Sequence, residues 1–236
     1  MKKLLPLAAA LAFLMLPAAA FADTLTFTAT TTAANLNNST DNVNETDYAG
    51  GSHQFDLDHH NAYTWKISSV AIPAGQTIVS AQICFKDIAN WDTNANKIFV
   101  HLLNTANNSG IGTVVDDPND NVMSDYFAGA NSLGPSGLGT DNIKLFDASF
   151  NMVGQSGYVA QNYTYNFTAA QLATLAAFIN AGNNIAFGFD PDCHYWNNGI
   201  TFTFTTAVVQ TPEPVSMVLL GTGLAGLYIR RRRRQN

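Results

Sequence analysis

Two stretches of this sequence repeat one order of metal-capable side chains: Asp56-Leu57-Asp58-His59-His60 and Asp190-Pro191-Asp192-Cys193-His194 both read Asp-x-Asp-x-His. A hard cation such as calcium is held by several oxygens at about 2.3 to 2.6 Å, which closely spaced carboxylates and backbone carbonyls in a loop supply. Four carboxylates gathered at one end of a domain repel one another unless a cation sits between them. The pattern predicts a Ca2+ site drawn from Asp56, Asp58, Asp190 and Asp192. A zinc version recruits His60 and His194, although neither His-Glu-x-x-His nor a Cys-x-x-Cys pair occurs. The structural alternative is that the aspartates cap turns and Pro191 fixes its loop.

Other chemistry is more thinly represented. Asp117-Pro118-Asn119-Asp120-Asn121 opens as an EF-hand loop does, but Val122 stands where glycine is needed and Ala128 where a glutamate closes the site. Trp91 and Trp196 lie in Asn- and Asp-rich stretches and are candidates for stacking on a glycan such as exopolysaccharide. Trp65, on an alternating run, reads instead as core. Neither a Gly-x-Ser-x-Gly elbow nor a P-loop is present, and no Gly-x-Gly-x-x-Gly follows a strand. Ahead of Glu213 the only glutamate is Glu45, so a glycosidase pair would be built largely from aspartates. The expectation is a non-enzymatic protein, with a carbohydrate-binding module and a secreted hydrolase as alternatives.

The elements that position these residues are short and mostly extended. In Thr24 to Thr32, Leu25, Phe27 and Ala29 share one face and threonines the other, the pattern of a half-buried strand. Tyr63 to Val70 alternates again, and Ile72 to Gln76 makes a turn into Thr77 to Asp87. There Val79, Ala81, Ile83 and Phe85 fall on one face and Cys84 on the other. Lys97 to Asn104 is apolar on both faces, as a central strand is, so His101 within it reads as a partnered core residue. From Thr105 to Ser149 the chain reads as loops around a short strand at Asn142 to Phe146, and Gly157 to Phe167 reads as another strand. One helix is well marked. Thr168 and Gln171 form a capping box, Leu172, Leu175, Ala176 and Ile179 form an apolar stripe, and Gly182 supplies the stop. Strands at Asn184 to Asp190 and Ile200 to Val209 follow. This order predicts an all-β fold, a jelly-roll-like β-sandwich with one short helix over residues 23–209; an up-and-down barrel is the other architecture.

Both ends differ from this middle. Residues 1–22 carry Lys2 and Lys3, an apolar stretch from Leu4 to Leu16 and the small-x-small triplet Ala20-Phe21-Ala22, the layout of a cleaved signal peptide. At the other end Pro212-Glu213-Pro214 precedes an uncharged run at 215–229 and an unbroken cluster from Arg230 to Arg234. At 1.5 Å per residue that run is about 22 Å long as a helix, short against a hydrocarbon core of about 30 Å. Snorkelling arginines and local thinning close the difference, which predicts a transmembrane helix. Arg230, Arg231, Arg232, Arg233 and Arg234 hold the tail on the cytoplasmic side, with the body outside the inner membrane.

Between the ends, from Asp23 to Thr211, four lysines face sixteen acidic residues, a net charge of −12. Nucleic acid is excluded as a partner, because binding phosphates needs clustered cations. Cys84 and Cys193 are the only cysteines. In an oxidising compartment an even count favours a disulfide between them, worth roughly 4 to 5 kcal/mol on chain entropy for so long a loop.

The order Pro212-Glu213-Pro214, short apolar helix, arginine cluster resembles the PEP-CTERM sorting tail, here residues 210–236. That resemblance implies an exosortase-like processing enzyme as partner, with Pro212, Glu213 and Pro214 as the motif it reads. It also implies a precursor anchored in the inner membrane, then released to the cell envelope or the medium. Through its DLDH, NWD and DPDCHYWN stretches the body is similar to the β-sandwich domains of exported PEP-CTERM proteins, a likeness that carries no activity.

Overall fold

Alternation of threonine with phenylalanine, isoleucine and valine drives the chain into strands that bury one face. The computed structural model describes residues 24–31, 45–46, 52–53, 55–58, 61–90, 96–106, 110–113, 125–128, 142–150, 160–193, 195–209 and 214–233. Its strands are β1 (Leu25–Thr30), β2 (Glu45–Thr46), β3 (Ser52–His53), β4 (Phe55–Leu57), β5 (Asn61–Ser68), β6 (Gln76–Asn90), β7 (Ile98–Leu103), β8 (Gly110–Thr113), β9 (Asn142–Ala148), β10 (Gln161–Asn166), β11 (Asn184–Pro191), β12 (Tyr195–Asn197) and β13 (Ile200–Val208). The helices are α1 (Ala169–Gly182) and α2 (Pro214–Arg233). The all-β expectation holds.

The pairing order explains how the chain closes on itself. Among the eight principal strands, first pairs with eighth, second with seventh, third with sixth and fourth with fifth: β1 with β13, β5 with β11, β6 with β10, β7 with β9, all antiparallel. Contacts of β13 with β6 and of β11 with β7 join these pairs into two sheets. This doubled and rolled hairpin is the strand order of a jelly roll. The short β4 and β12 extend the first sheet beside the far end of β6, and β8 edges the second on β5.

One core fills the space between the sheets. Ile83, Phe85, Phe202 and Phe204 of the first sheet meet Tyr63, Trp65, Phe187 and Phe189 of the second in a single buried cluster. Phe85 packs edge-on against Phe189 at 5.8 Å, and Phe187 meets Phe202 at 4.9 Å. Aromatic pairs of this kind add about 0.5 to 1.5 kcal/mol beyond the area they bury. On the outer face of β1 and β13 threonines pair across the strands, Thr28 with Thr203 at 3.3 Å and Thr30 with Thr201 at 3.2 Å.

Helix α1 starts where the sequence places it. Thr168 Oγ1 accepts the Gln171 N–H, and Gln171 Oε1 accepts the Thr168 N–H at 2.8 Å, a complete capping box. Leu175 and Ile179 are buried against the core, with Leu172 and Ala176 beside them. Its stop differs from expectation: Gly182 is the last helical residue, and Asn183 takes the left-handed cap at φ 52°, which asparagine tolerates. The helix packs on β6 and β11 and so closes one open end of the sandwich. There Val70 donates to the Asn183 carbonyl and Phe167 to that of Ala81.

Strand β6 departs from simple alternation. A register shift opposite Thr205 and Thr206 inserts one residue, so Ile78 turns inward and Val79 outward, 49 % exposed. A fixed period of two had placed Val79 with Ala81, Ile83 and Phe85 in the core.

Candidate functional site

The two Asp-x-Asp segments do arrive at one end of the sandwich. Trp196 of β12 stands directly opposite Asp56 of β4, and Phe189 of β11 stands opposite Tyr63 of β5, so Asp190 follows at the same end. The carboxylates are nevertheless embedded in structure rather than gathered round a cavity. Asp56, Asp58 and Asp190 are all buried. Asp190 Oδ2 accepts the Tyr126 N–H at 2.6 Å, and Asp58 Oδ2 lies 3.5 Å from Asn61 Nδ2. Among the described residues no group of three or more His, Cys, Asp or Glu is arranged to hold a metal. The four carboxylates of the expected Ca2+ site, Asp56, Asp58, Asp190 and Asp192, are thus not brought together as such a group; His59, His60 and His194 lie outside the described residues.

Tyr63 explains the local order. Its hydroxyl accepts the Asp58 N–H at 2.7 Å and donates to the Asp56 carbonyl at 3.4 Å, pinning the β4–β5 turn. Burial pushes the phenol far above its ordinary range. The Asp58 N–H opposes that rise, and the charges of Asp56 and Asp58 add to it. Tyr195 is pushed up in the same way, first by burial, then by Cys193 and Asp192. Both remain protonated at physiological pH.

The candidate glycan contact is corrected too. Trp196 belongs to strand β12 and is 4 % exposed, packed with Ala89 and Ala160, so it offers no free stacking face. Read as a loop, it had seemed open; the three-residue pairing with β4 is too short to announce itself in sequence. Trp91 lies outside the described residues, and Trp65 is core as its alternation implied.

Nor are Cys84 and Cys193 joined in a disulfide. Cys84 sits half-buried on the outer face of β6, between the inward Ile83 and Phe85, while Cys193 belongs to the core cluster. The sheet itself separates them, and a disulfide needs Cβ atoms about 3.5 to 4.5 Å apart.

A polar network on the outer face of the second sheet was only partly legible. His101, 2 % exposed, is partnered as expected: Nδ1 meets Asn142 Oδ1 at 3.1 Å and Nε2 meets Asp125 Oδ1 at 2.9 Å. Lys144 lies 3.5 Å from Asp125 and 2.7 Å from Asp147, which Lys97 also contacts at 3.0 Å. Burial opposes ionisation of Asp125, but the hydrogen bond and charge of His101, with Lys144, outweigh it and hold the carboxyl below its ordinary range. Hydrogen bonds from Lys144 and Lys97 depress Asp147 likewise. With the Tyr126 bond to Asp190, this network fastens residues 125–128 to β7 and β11. Its charged groups are turned on one another and on the backbone of residues 125–128, the arrangement of a clamp.

The carboxyl-terminal segment forms the helix its sequence foretells. Pro214 opens α2, where a missing N–H costs nothing, and Arg230, Arg231 and Arg233 complement the negative end of the helix dipole. Leu219, Leu220, Leu224 and Leu227 are exposed along it. The transmembrane helix expected at 215–229 is not reached on length and apolarity: no helix among the described residues is long and apolar enough to cross a membrane unaided. Gly221, Thr222, Gly223 and Gly226 dilute a run that is already short, and any longer window takes in arginines. Pro212, Glu213 and Arg234, like residues 1–22, lie outside the described residues.

Residues 210–234 match the PEP-CTERM protein-sorting motif. The chain thus carries a PEP-CTERM sorting motif behind its all-β body. The motif marks an exported, membrane-anchored precursor that is sorted to the envelope. No curated protein and no solved structure matches the chain.

Proposed function

We propose that this protein is a non-enzymatic envelope or extracellular-matrix component, exported as a folded jelly-roll body and detached from its tail by an exosortase acting near Pro212-Glu213-Pro214. The observation that carries the reading is the sorting motif at residues 210–234, joined directly to an all-β body of net charge −12. With snorkelling arginines and local thinning making up for the short tail helix, Arg230 to Arg234 stay on the cytoplasmic side under the positive-inside bias, and the body passes outward behind its signal peptide. The network around Asp125 supports a structural role, since its charged groups hold a loop in place. The exopolysaccharide-binding alternative loses the exposed Trp196 on which it partly rested.

The test is intact mass of the protein isolated from its native host. Cleavage after Ala22 and near Pro214 predicts a product lacking both ends. A variant with Pro212, Glu213 and Pro214 all replaced by alanine is expected to keep its tail and stay in the membrane fraction. Release of that variant at the normal rate would refute processing at this motif.

A further inference from the structure

Four large apolar side chains of the body are conspicuously exposed among the described residues: Leu25 at 49 %, Val79 at 49 %, Val208 at 41 % and Val209 at 51 %. They fall together. Leu25 stands opposite Thr206, Val208 stands opposite Gln76, the Val209 N–H donates to the Gly75 carbonyl, and Val79 is the residue extruded beside Thr205 and Thr206. All four therefore rim the end of the sandwich that α1 closes, and the helix turns the small exposed side chains of Ala173, Ala177 and Ala181 outward there.

The charge map singles out the same end. Residues 67–85, 168–189 and 200–209 contain no charged side chain, in a body whose net charge is −12. Among the described residues, Asp56, Asp58, Asp87, Asp190 and Asp192 belong to the opposite end, and the charge on β5 nearest to α1 is a cation, Lys66, opposite Ala186. Asp23, ahead of β1, lies outside the described residues; cleavage after Ala22 would set an α-amino group beside its carboxylate.

Chain length supplies the occupant. Only Gln210 to Glu213 separate Val209 from the first residue of α2. At no more than about 3.6 Å per residue, Val209 stays within roughly 20 Å of the helix start. The headgroup layer takes up about 5 to 8 Å of that reach on each side. Building on the anchored-precursor reading above, we infer that the uncharged end formed by α1 and the Leu25, Val79, Val208 and Val209 rim rests on the lipid surface of the bilayer that holds the tail, orienting the body before release. Apolar side chains enter the interfacial zone, and the acidic end points away from anionic headgroups.

The experiment uses the full chain in vesicles of phosphatidylethanolamine and phosphatidylglycerol at three to one, supplemented with lipid brominated near its carbonyls. A fluorophore is placed through Val79→Cys, Ala177→Cys or, as the distal control, Ala128→Cys, each in a Cys84→Ser background, Cys193 being buried. Loss of fluorescence is expected at 79 and 177 and not at 128. Adding Val208→Asp and Leu25→Asp should abolish the loss at 177 while the protein still sediments with the vesicles. Equal quenching at all three positions, with normal sedimentation, overturns the orientation alone. Failure to sediment overturns the anchored precursor and this inference with it.

Discussion

Gly188 gives the sharpest test of how residues 125–128 are held to the second sheet. A Cβ built at Gly188 would lie 2.7, 2.8 and 2.9 Å from three atoms of the Phe127 ring, closer than any relaxed carbon contact. That ring is fully buried and also packs against His101 at 5.4 Å. It cannot swing aside unless the segment lifts and loosens the Tyr126 bond to Asp190 and the Asp125 contact with His101. Overpacking of this kind costs about 1 to 3 kcal/mol. Removing a glycine from a strand interior returns about 0.5 to 1 kcal/mol, leaving Gly188→Ala destabilised by roughly 1 to 2 kcal/mol. With a urea slope of about 2 kcal/mol/M, the unfolding midpoint should fall by roughly 0.5 to 1 M. Phe127→Ala alone should cost about 3 to 5 kcal/mol through the cavity it leaves. In that background Gly188→Ala is expected to be neutral or slightly stabilising, because the new methyl enters vacated space. The double-mutant cycle should thus show a coupling of about 1 to 3 kcal/mol. Equal effects of Gly188→Ala with and without Phe127 would refute the close packing on which the reasoning rests.

Three further outcomes follow from the same geometry. Asp125→Asn should cost about 1 to 3 kcal/mol at pH 7, as loss of a charged hydrogen bond does. Because the folded carboxyl is held below its unfolded value near 3.9, this stabilisation is full above about pH 4 and is lost as pH falls through the folded value. The gap between wild type and Asp125→Asn in urea midpoint should therefore close toward pH 2, and a constant gap would contradict it. Thr168→Ala should lower stability by about 1 kcal/mol. Gln171→Ala should cost more, because Gln171 also donates to the Leu145 carbonyl and accepts from the Tyr165 hydroxyl; thermal melts of the two variants decide the order. Without reductant, iodoacetamide should modify Cys84 in the native protein and both cysteines after denaturation, and a mass showing neither modified in urea would restore the disulfide.

How far the sequence carried depended on the range of each interaction. Helix α1 was readable because its cap, stripe and amphipathic period lie within fifteen residues. The strands of the core were readable for the same local reason: Trp65 was assigned to the interior on alternation, and His101 on a run apolar on both faces. What escaped was set by pairing between distant segments. Asp56 and Trp196 looked like loop residues, because β4 and β12 are three residues each and owe their extended shape to one another. The outward turn of Val79 depends on a register shift against β13 that leaves no mark in β6 itself. Cys84 and Cys193 were countable, but which side of a sheet each would face was not. Asp125, the centre of the polar network, sat in a stretch read as loop, and neither His101 nor Lys144 identifies it from a distance in sequence. A histidine on a strand apolar on both faces did call for a buried acceptor, which Asp125 supplies.

Placement of charge joins the fold to the sorting signal. A body of net charge −12 brought close to an anionic membrane would be repelled if its carboxylates faced the lipid. In physiological salt that repulsion decays over about 8 Å. Strand β6 runs from Gln76 at the uncharged end to Asn90 at the acidic end. At about 3.3 Å per residue Asp87 lies about 36 Å along β6, and Asp190, six residues beyond Asn184 on β11, about 20 Å from α1, more than two screening lengths in each case. Carboxylates near Asp56, Asp87 and Asp190 are then electrically remote from a surface touching α1. The excess of acid on the body need not disturb the anchored precursor, provided that the chain leaves the sandwich at its uncharged end. It does so at Val209, with four residues between it and α2.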